Sequence, residues 1–368
     1  MIIGVDGNEA NVDHRVGVSN YTHKLLSYFK KKANKDLQFT IFLREKPKSD
    51  MPKENRFFRY RVVWGKFLWS QVFLPLSLIK NNIDIFFSPA HYSPRFISIP
   101  YVVTIHDLSF FRYPEDFRKR DLLKLTLWTN YSVKRAKKII AVSQATKKDI
   151  LKIYKLADEK IKVIYNGFEK IKSKSGKWLR NIPKNYFLFV GTLQPRKNLA
   201  TLINAFNLFQ KNYPQFELII AGKKGWLYES LFKQVSDLGL TDKVFFTDYI
   251  SDKQLEFLYR NAFAFVLPSL YEGFGIPILE AMSFNCPVIA SFSSSLPEIG
   301  GDACLYFNPL DENDLVKKMK ILLENNQLRK ELIKKGRQRV KQFSWKKCAQ
   351  ETLDLLIESA KENGDKKN

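Results

Sequence analysis

PSLYEGFGIPILEAM, residues 268–282, follows a short apolar run, 264–267, that is typical of a buried strand. Within the stretch, Gly273 and Gly275 are separated by a single residue. Pro277 suits the first position of a helix, where its missing N–H costs nothing. The pattern therefore predicts a strand, a glycine loop and the start of a helix.

A helix that begins after such a loop is suited to bind an anion. The N–H groups of its first turn have no intrahelical acceptor, and the helix dipole adds positive potential there. Glu272 lies in the loop and Glu280 in the first turns of the helix. The helix start can hold a phosphate, and the two carboxylates beside it can accept hydrogen bonds from hydroxyl groups. This combination suits a nucleotide sugar. The alternative is an ordinary turn that carries two solvent-exposed acids.

The same stretch resembles the E-x7-E signature of the retaining family 4 glycosyltransferases, with Glu272 and Glu280 as its glutamates. The resemblance implies an α/β fold of the GT-B architecture: two Rossmann-like domains with parallel sheets face each other across a cleft. In that architecture a C-terminal helix crosses back to the first domain. The predicted parts are an acceptor-binding domain over 1–170, a linker over 171–184, a nucleotide-sugar-binding domain over 185–344 and the returning helix over 345–360.

Composition agrees with a two-domain α/β protein. The chain has 368 residues, of which 45% are hydrophobic, and this length suits two domains. It contains no apolar run of about eighteen residues, so no transmembrane helix is predicted. The segment 1–6 reads as a first strand, not a signal peptide. The three cysteines are far apart in the sequence, form no metal pattern, and favour a reducing cytoplasm.

Positive charge is concentrated in the N-terminal half. Residues 1–180 hold 36 Lys and Arg against 16 Asp and Glu, whereas residues 181–368 hold 25 against 21. This asymmetry predicts that the N-terminal half meets an anionic surface or ligand. The alternative is a lysine-rich compositional bias, although a bias alone would load both halves similarly.

Residues 56–80 interleave arginines with aromatic residues, among them Trp64, Trp69 and Phe73. Trp and Tyr together with Lys and Arg are the residue set of membrane interfaces. The stretch therefore predicts contact with an anionic membrane by a peripheral protein on the inner face of the membrane. The alternative is a strand over 59–64 followed by a core helix.

The resemblance assigns site residues in the N-terminal domain. The glycine loop after the first strand, 2–5, is matched by Gly17 and Val18, which implies an approach to the donor phosphates and the acceptor; an ordinary turn glycine at position 17 is the alternative. The strand 101–105 delivers His106 at its C-terminal end, where ligands of open parallel sheets bind. His106 matches the family histidine that contacts the transferred sugar; a purely structural histidine is the alternative.

More site residues are assigned in the C-terminal domain. Arg196 and Lys197 follow the strand 186–190 and match the positions that hold the diphosphate; a solvated pair is the alternative. Two such cations would stabilise the departing nucleoside diphosphate without a metal. The resemblance further implies that Glu272 holds the sugar with His106, that Glu280 accepts from ribose hydroxyls, that the N–H groups of Phe274, Gly275 and Ile276 meet the phosphates, and that Ile250 contacts the base. Residues 287–290 are predicted as the last strand.

The predicted function is a metal-independent retaining glycosyltransferase that moves a hexose from a nucleotide sugar to a glycan or lipid-linked acceptor. The TLQPRKNL segment, 192–199, resembles mannosyltransferases of surface-polysaccharide assembly, which favours GDP-mannose as donor. A UDP-sugar donor is the first alternative. More remote alternatives are an epimerase or phosphorylase of the same architecture, and a nucleic-acid-binding protein. The last would explain the charge but not the glycine-framed glutamates, and no nucleic-acid-binding motif is visible.

Overall fold

All pairings between the described strands are parallel, as the family resemblance implies. The computed structural model describes residues 1–65, 69–170, 182–225 and 228–364. The chain divides into two compact units. Unit 1 comprises Met1–Gly167 and Phe343–Asn368, and unit 2 comprises Phe168–Gln342. Most of the predicted linker, at 171–181, lies outside the described residues.

Unit 1 is built on a seven-stranded sheet with the order β3-β2-β1-β4-β5-β6-β7. The strand order reverses between β1 and β4, so the carboxyl ends of these strands border a topological switch point. The strands of unit 1 are β1 (Ile2–Asp6), β2 (Gln38–Leu43), β3 (Phe58–Val62), β4 (Ile85–Ser88), β5 (Tyr101–Ile105), β6 (Lys138–Ala141) and β7 (Ile161–Val163).

Helices cover both faces of this sheet. The helices of unit 1 are α1 (Val18–Lys32), α2 (Phe73–Ile79), α3 (Ser109–Arg112), α4 (Lys119–Arg135), α5 (Gln144–Tyr154) and the C-terminal α13 (Trp345–Gly364). Successive strand residues point to opposite faces, so Ile41 packs in one core and Phe42 in the other. The core that contains Ile41 also holds Leu25 from α1 and Leu353 from α13. The C-terminal helix therefore completes the core of unit 1, as the fold prediction requires.

Gly167 leaves room for the backbone of the first residue of α13 to approach closely. A Cβ atom on this glycine would come within 2.3 Å of the Trp345 backbone nitrogen and 2.4 Å of its Cα. Both atoms belong to the backbone at the first residue of α13, so a side chain at position 167 would force the helix to move.

Unit 2 contains a six-stranded sheet with the order β10-β9-β8-β11-β12-β13, and its order reverses between β8 and β11. Its strands are β8 (Tyr186–Val190), β9 (Glu217–Ala221), β10 (Val244–Phe246), β11 (Ala264–Leu267), β12 (Val288–Ser291) and β13 (Cys304–Phe307). Its helices are α6 (Leu199–Gln210), α7 (Glu229–Asp237), α8 (Asp252–Asn261), α9 (Ile276–Ser283), α10 (Leu296–Gly300), α11 (Glu312–Glu324) and α12 (Asn326–Val340).

Two expectations from the sequence are wrong. The strand at 287–290 is not the last one, because β13 pairs with β12 beyond it. Trp69 is not a surface ring: it is 1% exposed, and its indole N–H donates to the Val63 carbonyl at 2.6 Å. Trp64, by contrast, is 75% exposed. Within the described ranges, no helix has the length and hydrophobicity that crossing a bilayer requires.

Candidate active site

The loops that follow β8 and β11 meet at the switch point of unit 2. The Leu270 N–H donates to the Arg196 carbonyl at 2.9 Å, which joins the two loops directly. Asn198, the residue before α6, donates through its side chain to the carbonyls of Pro268 at 3.2 Å and Pro309 at 2.8 Å. Ligands of open α/β sheets bind at this place, so the fold brings the two predicted motifs together where a ligand would lie.

The glycine loop leads into α9 as predicted, with one difference in register. The helix begins at Ile276, so Pro277 occupies its second position instead of its first. Gly275 precedes the helix with φ of 108°, a conformation that side chains with a Cβ rarely adopt. A Cβ on Gly275 would also come within 2.8 Å of Leu296 Cδ2. Both reasons favour glycine at this position.

Three of the predicted site residues form one buried ionic cluster. Lys197 Nζ lies 2.5 Å from Glu272 Oε1, and Arg196 Nη1 lies 3.6 Å from Glu272 Oε2. The side chains of Arg196, Lys197 and Glu272 are 19%, 12% and 11% exposed. This arrangement rules out the alternatives of a solvent-exposed Glu272 and a solvated Arg-Lys pair. Two cations and one carboxylate leave the cluster with a formal charge of +1, which suits an anion.

Glu272 is ionised in this environment. Burial, the largest single influence, raises the pKa of its carboxyl group, but the charges of Lys197 and Arg196 and the hydrogen bonds to the carboxylate together outweigh it. Hydrogen bonds from Lys197 and from Ser269, whose hydroxyl donates at 2.7 Å, also favour the charged form. The pKa of Glu272 therefore lies below its ordinary value, and the carboxylate can accept hydroxyl hydrogen bonds at neutral pH.

A serine-rich segment, 291–295, stabilises the glycine loop through hydrogen bonds to its backbone carbonyls. No sequence pattern used above predicted this contact. Ser294 Oγ donates to the Glu272 carbonyl at 2.6 Å. Ser295 Oγ lies 2.9 Å from the same carbonyl and 2.8 Å from the Phe274 carbonyl. Ser293 donates to the Leu270 carbonyl. A run of serines directly after a buried strand is the sequence signal that could have indicated this support.

Glu280 lies on α9 with a partner of its own. Its Oε2 accepts from the Tyr259 hydroxyl at 3.0 Å, and Tyr259 is wholly buried in α8. Burial raises the pKa of Glu280 to about 7, although the Tyr259 hydrogen bond acts in the opposite direction. The Glu280 residue as a whole is only partly buried, but its carboxyl group is strongly desolvated. The sequence analysis did not identify Tyr259.

His106 follows β5 in unit 1 and is buried. Its Nε2 lies 2.8 Å from the Pro89 carbonyl. Because a carbonyl can only accept, Nε2 carries the proton and Nδ1 is left as an acceptor. Desolvation lowers the pKa of His106 to about 4, so the ring is neutral at physiological pH. The Tyr21 ring packs edge-on against it at 4.9 Å.

The other predicted residues occupy loop ends. Gly17 caps α1 with φ of 49°, and Val18 is the first residue of that helix. Ile250 is partly buried between β10 and the capping residue of α8. Phe274 is 5% exposed in the glycine loop. The ligand contacts assigned to these residues, and to Gly275 and Ile276, stay predictions. Among the residues that the structure describes, no group of three or more His, Cys, Asp or Glu is arranged to hold a metal ion.

Comparisons with known proteins agree with this geometry. Residues 16–170 match the family described as "Glycosyltransferase Family 4", and residues 170–339 match "Glycosyl transferases group 1". The O-antigen chain mannosyltransferase B of Escherichia coli is 31% identical over 73% of this chain and 73% of its own length. The O-antigen chain mannosyltransferase RfbU of Salmonella typhimurium is 39% identical over 57% of each chain.

Solved structures show the same fold. The sucrose-phosphate synthase of Thermosynechococcus elongatus superposes with a TM-score of 0.76 at 19% identity, over 97% of this chain and 98% of that one. Its similarity extends over both units, which establishes the GT-B architecture. The two parallel sheets, the position of the E-x7-E glutamates and the similarity to these relatives lead to one conclusion. The chain belongs to the family 4 glycosyltransferases of GT-B fold.

Proposed function

We propose that the protein is a retaining mannosyltransferase that uses GDP-mannose and extends a glycan, carried on a lipid, at the cytoplasmic face of a membrane. The observation that carries the proposal is the buried Arg196–Lys197–Glu272 cluster at the switch point of unit 2. Mannose is favoured because the two relatives described above are named as O-antigen chain mannosyltransferases. Unit 2 would bind the donor and unit 1 the acceptor.

The chemistry follows from the charges of the cluster. As the bond from the anomeric carbon to the phosphate oxygen breaks, negative charge grows on the departing diphosphate. Lys197 and Arg196 already lie in a partly desolvated site, so their attraction for that charge needs little reorganisation. Glu272, held ionised by the same cations, would accept hydrogen bonds from hydroxyl groups of the sugar. His106, neutral and with Nδ1 as an acceptor, would accept a hydrogen bond from another hydroxyl group of the transferred sugar.

Retention needs no protein nucleophile in this scheme. The leaving phosphate oxygen takes the proton of the attacking acceptor hydroxyl on the same face of the sugar, as the new glycosidic bond forms and the old one breaks. The protein would contribute positioning and charge stabilisation. The direct test is to incubate the enzyme with GDP-mannose and a lipid-linked acceptor and to determine the anomeric configuration of the product. A β-linked product would refute retention.

The donor can be identified by thermal shift with a panel of nucleotide sugars. We expect GDP-mannose to raise the melting temperature more than UDP-glucose, UDP-galactose or UDP-N-acetylglucosamine at equal concentration, because at equal concentration the ligand that binds the folded state more tightly stabilises it more. A larger shift with a UDP-sugar would replace GDP-mannose by the alternative donor and leave the transferase reaction unchanged.

Glu280→Ala is expected to weaken donor binding about tenfold or more, because it removes a desolvated hydrogen-bond acceptor of the ribose. Isothermal titration with the nucleoside diphosphate measures the effect. Glu256→Ala is a control, since Glu256 is an acid of unit 2 that is more deeply buried than Glu280 and pairs with Arg260 on its own helix. A folded Glu280→Ala protein that binds the nucleotide normally would contradict the ribose assignment.

Activity is expected to persist in excess EDTA, because Arg196, Lys197 and the positive end of α9 supply the charge that a metal would otherwise supply. The measurement is the initial rate of transfer before and after chelation. Loss of activity that manganese or magnesium restores would overturn this expectation.

A further inference from the structure

Tyr259 on α8 holds one oxygen of Glu280. The hydroxyl donates to Oε2 at 3.0 Å, and the tyrosine has no exposed surface. Its ring meets Phe265 edge-on at 5.6 Å and stacks on Phe284 at 5.9 Å with an interplanar angle of 13°. Two aromatic contacts therefore fix the ring, and the ring fixes where the hydroxyl lies.

The second oxygen of Glu280 is left for a ligand. Within the described ranges no side chain or N–H donates to Oε1, and Oε1 is not sealed from solvent. A carboxylate with one oxygen held from inside and the other accessible has its orientation set before any ligand arrives. This matters because an unanchored glutamate side chain would lose rotamer freedom when it binds.

We propose that Tyr259 is a positioning residue, which orients the Glu280 carboxylate so that Oε1 accepts the ribose hydroxyls of the nucleotide. The inference rests on the proposed function, in which Glu280 binds the donor ribose. Tyr259 itself is too deeply buried to touch the ligand. Its effect is exerted through Glu280.

The same hydrogen bond also affects the charge of Glu280. Desolvation raises the pKa of the carboxyl to about 7, the Tyr259 hydroxyl lowers it, and the charge of Asp252 raises it. Tyr259 and Asp252, both on α8, are the titratable groups whose effect on Glu280 is resolved. Removing the hydroxyl withdraws the interaction that favours the charged form, so the pKa of Glu280 must rise further. At neutral pH less of the carboxyl would then be ionised.

The experiment compares ribose recognition in Tyr259→Phe and wild-type protein. GDP and UDP, each with its 2′,3′-dideoxy counterpart, are titrated calorimetrically from pH 6 to pH 8.5. We expect wild type to prefer the ribonucleotide by about tenfold and Tyr259→Phe to lose most of that preference at pH 7. The preference should return in part toward pH 8.5, which a purely structural role of the hydroxyl would not produce. Affinity for the dideoxy nucleotides should be unchanged.

Tyr186→Phe is the matched control. Tyr186 is also wholly buried in unit 2, and its hydroxyl donates to the Leu258 carbonyl at 2.8 Å. It should lose similar stability and keep the wild-type ribose preference. All titrations are run at 10 °C on variants whose folded state has been verified by circular dichroism at that temperature.

Different results would contradict the positioning role of Tyr259 and the ribose assignment of Glu280. If Tyr259→Phe keeps the wild-type preference and pH profile while Glu280→Ala loses the preference, the positioning role is wrong and the ribose assignment stands. If wild type does not distinguish ribo- from dideoxynucleotides, or Glu280→Ala still does, the assignment of Glu280 fails and the inference fails with it.

Discussion

Glu272→Ala is expected to lower the free energy of unfolding by about 3 kcal/mol and to reduce transfer at least about a hundredfold. The reason is that Lys197 and Arg196 would remain in a largely desolvated site without the carboxylate that neutralises one of them. Urea unfolding monitored by tryptophan fluorescence measures the first effect, and initial rates with donor and acceptor measure the second.

Two variants sharpen this test. Glu229→Ala removes an exposed acid of unit 2 and should change stability by less than about 0.5 kcal/mol. Glu272→Ala combined with Lys197→Met should be more stable than Glu272→Ala alone, because it lowers the charge of the cluster from +2 to the wild-type value of +1. A Glu272→Ala protein as stable as wild type would show that the cluster does not depend on this carboxylate.

The pH dependence of stability provides an independent check. The pKa of Glu272 is depressed in the folded protein below its ordinary value of 4.5. Its contribution is therefore complete above pH 4.5 and is lost as the pH falls through the folded-state pKa. The stability difference between wild type and Glu272→Ala should shrink as the medium is acidified below that value.

Reversing the charges of Arg56, Arg59 and Arg61 to glutamate is expected to weaken binding to anionic vesicles about a hundredfold, since each basic residue near a membrane contributes about 1 kcal/mol. All three side chains are exposed, on or just before the edge strand β3. Trp64, 75% exposed, lies two residues after the end of that strand and can enter the interface. Trp69 belongs to the core and should not contribute.

Co-sedimentation with vesicles of anionic and of neutral lipid measures this effect, and salt should weaken the anionic binding. Replacing Lys317, Lys330 and Lys334 by glutamate is the control, because it makes the same change in net charge on exposed positions of unit 2. Equal binding to both kinds of vesicle, or an equal loss in the control, would refute a membrane surface at β3. The acceptor would then be expected to be a soluble glycan.

Local pattern was sufficient to predict individual strands, whereas the two-domain GT-B architecture was implied by the family resemblance. Short apolar runs followed by glycine or polar residues marked β1, β8 and β11, and the structure confirms them. The strand β13, Cys304–Phe307, was missed because four residues with two partly exposed side chains carry little periodic signal. Trp69 was misplaced because a tryptophan among arginines looks the same in sequence whether its indole meets lipid or, as here, a backbone carbonyl.

The sequence could indicate which residues belong to the candidate site, but it could not indicate which of their side chains touch. Glu272, Lys197 and Glu280 were identified by resemblance, but Lys197 and Glu272 are 75 residues apart in the chain. Only the parallel order of β8 and β11 brings them within hydrogen-bonding distance. Tyr259 could not be identified at all, because a tyrosine on an amphipathic helix is ordinarily a core residue and its hydroxyl partner depends on packing.

The position of α13 has a consequence for synthesis on the ribosome. Unit 1 begins at the first residue but takes part of its core from Cys348, Leu353 and Leu356. A nascent chain that has released only the first 167 residues exposes the apolar surface that these side chains later cover. Unit 2, by contrast, is continuous in sequence and can fold as soon as it emerges. The second unit should therefore reach its native state first, and the N-terminal unit should need chaperone protection until α13 has emerged from the ribosome.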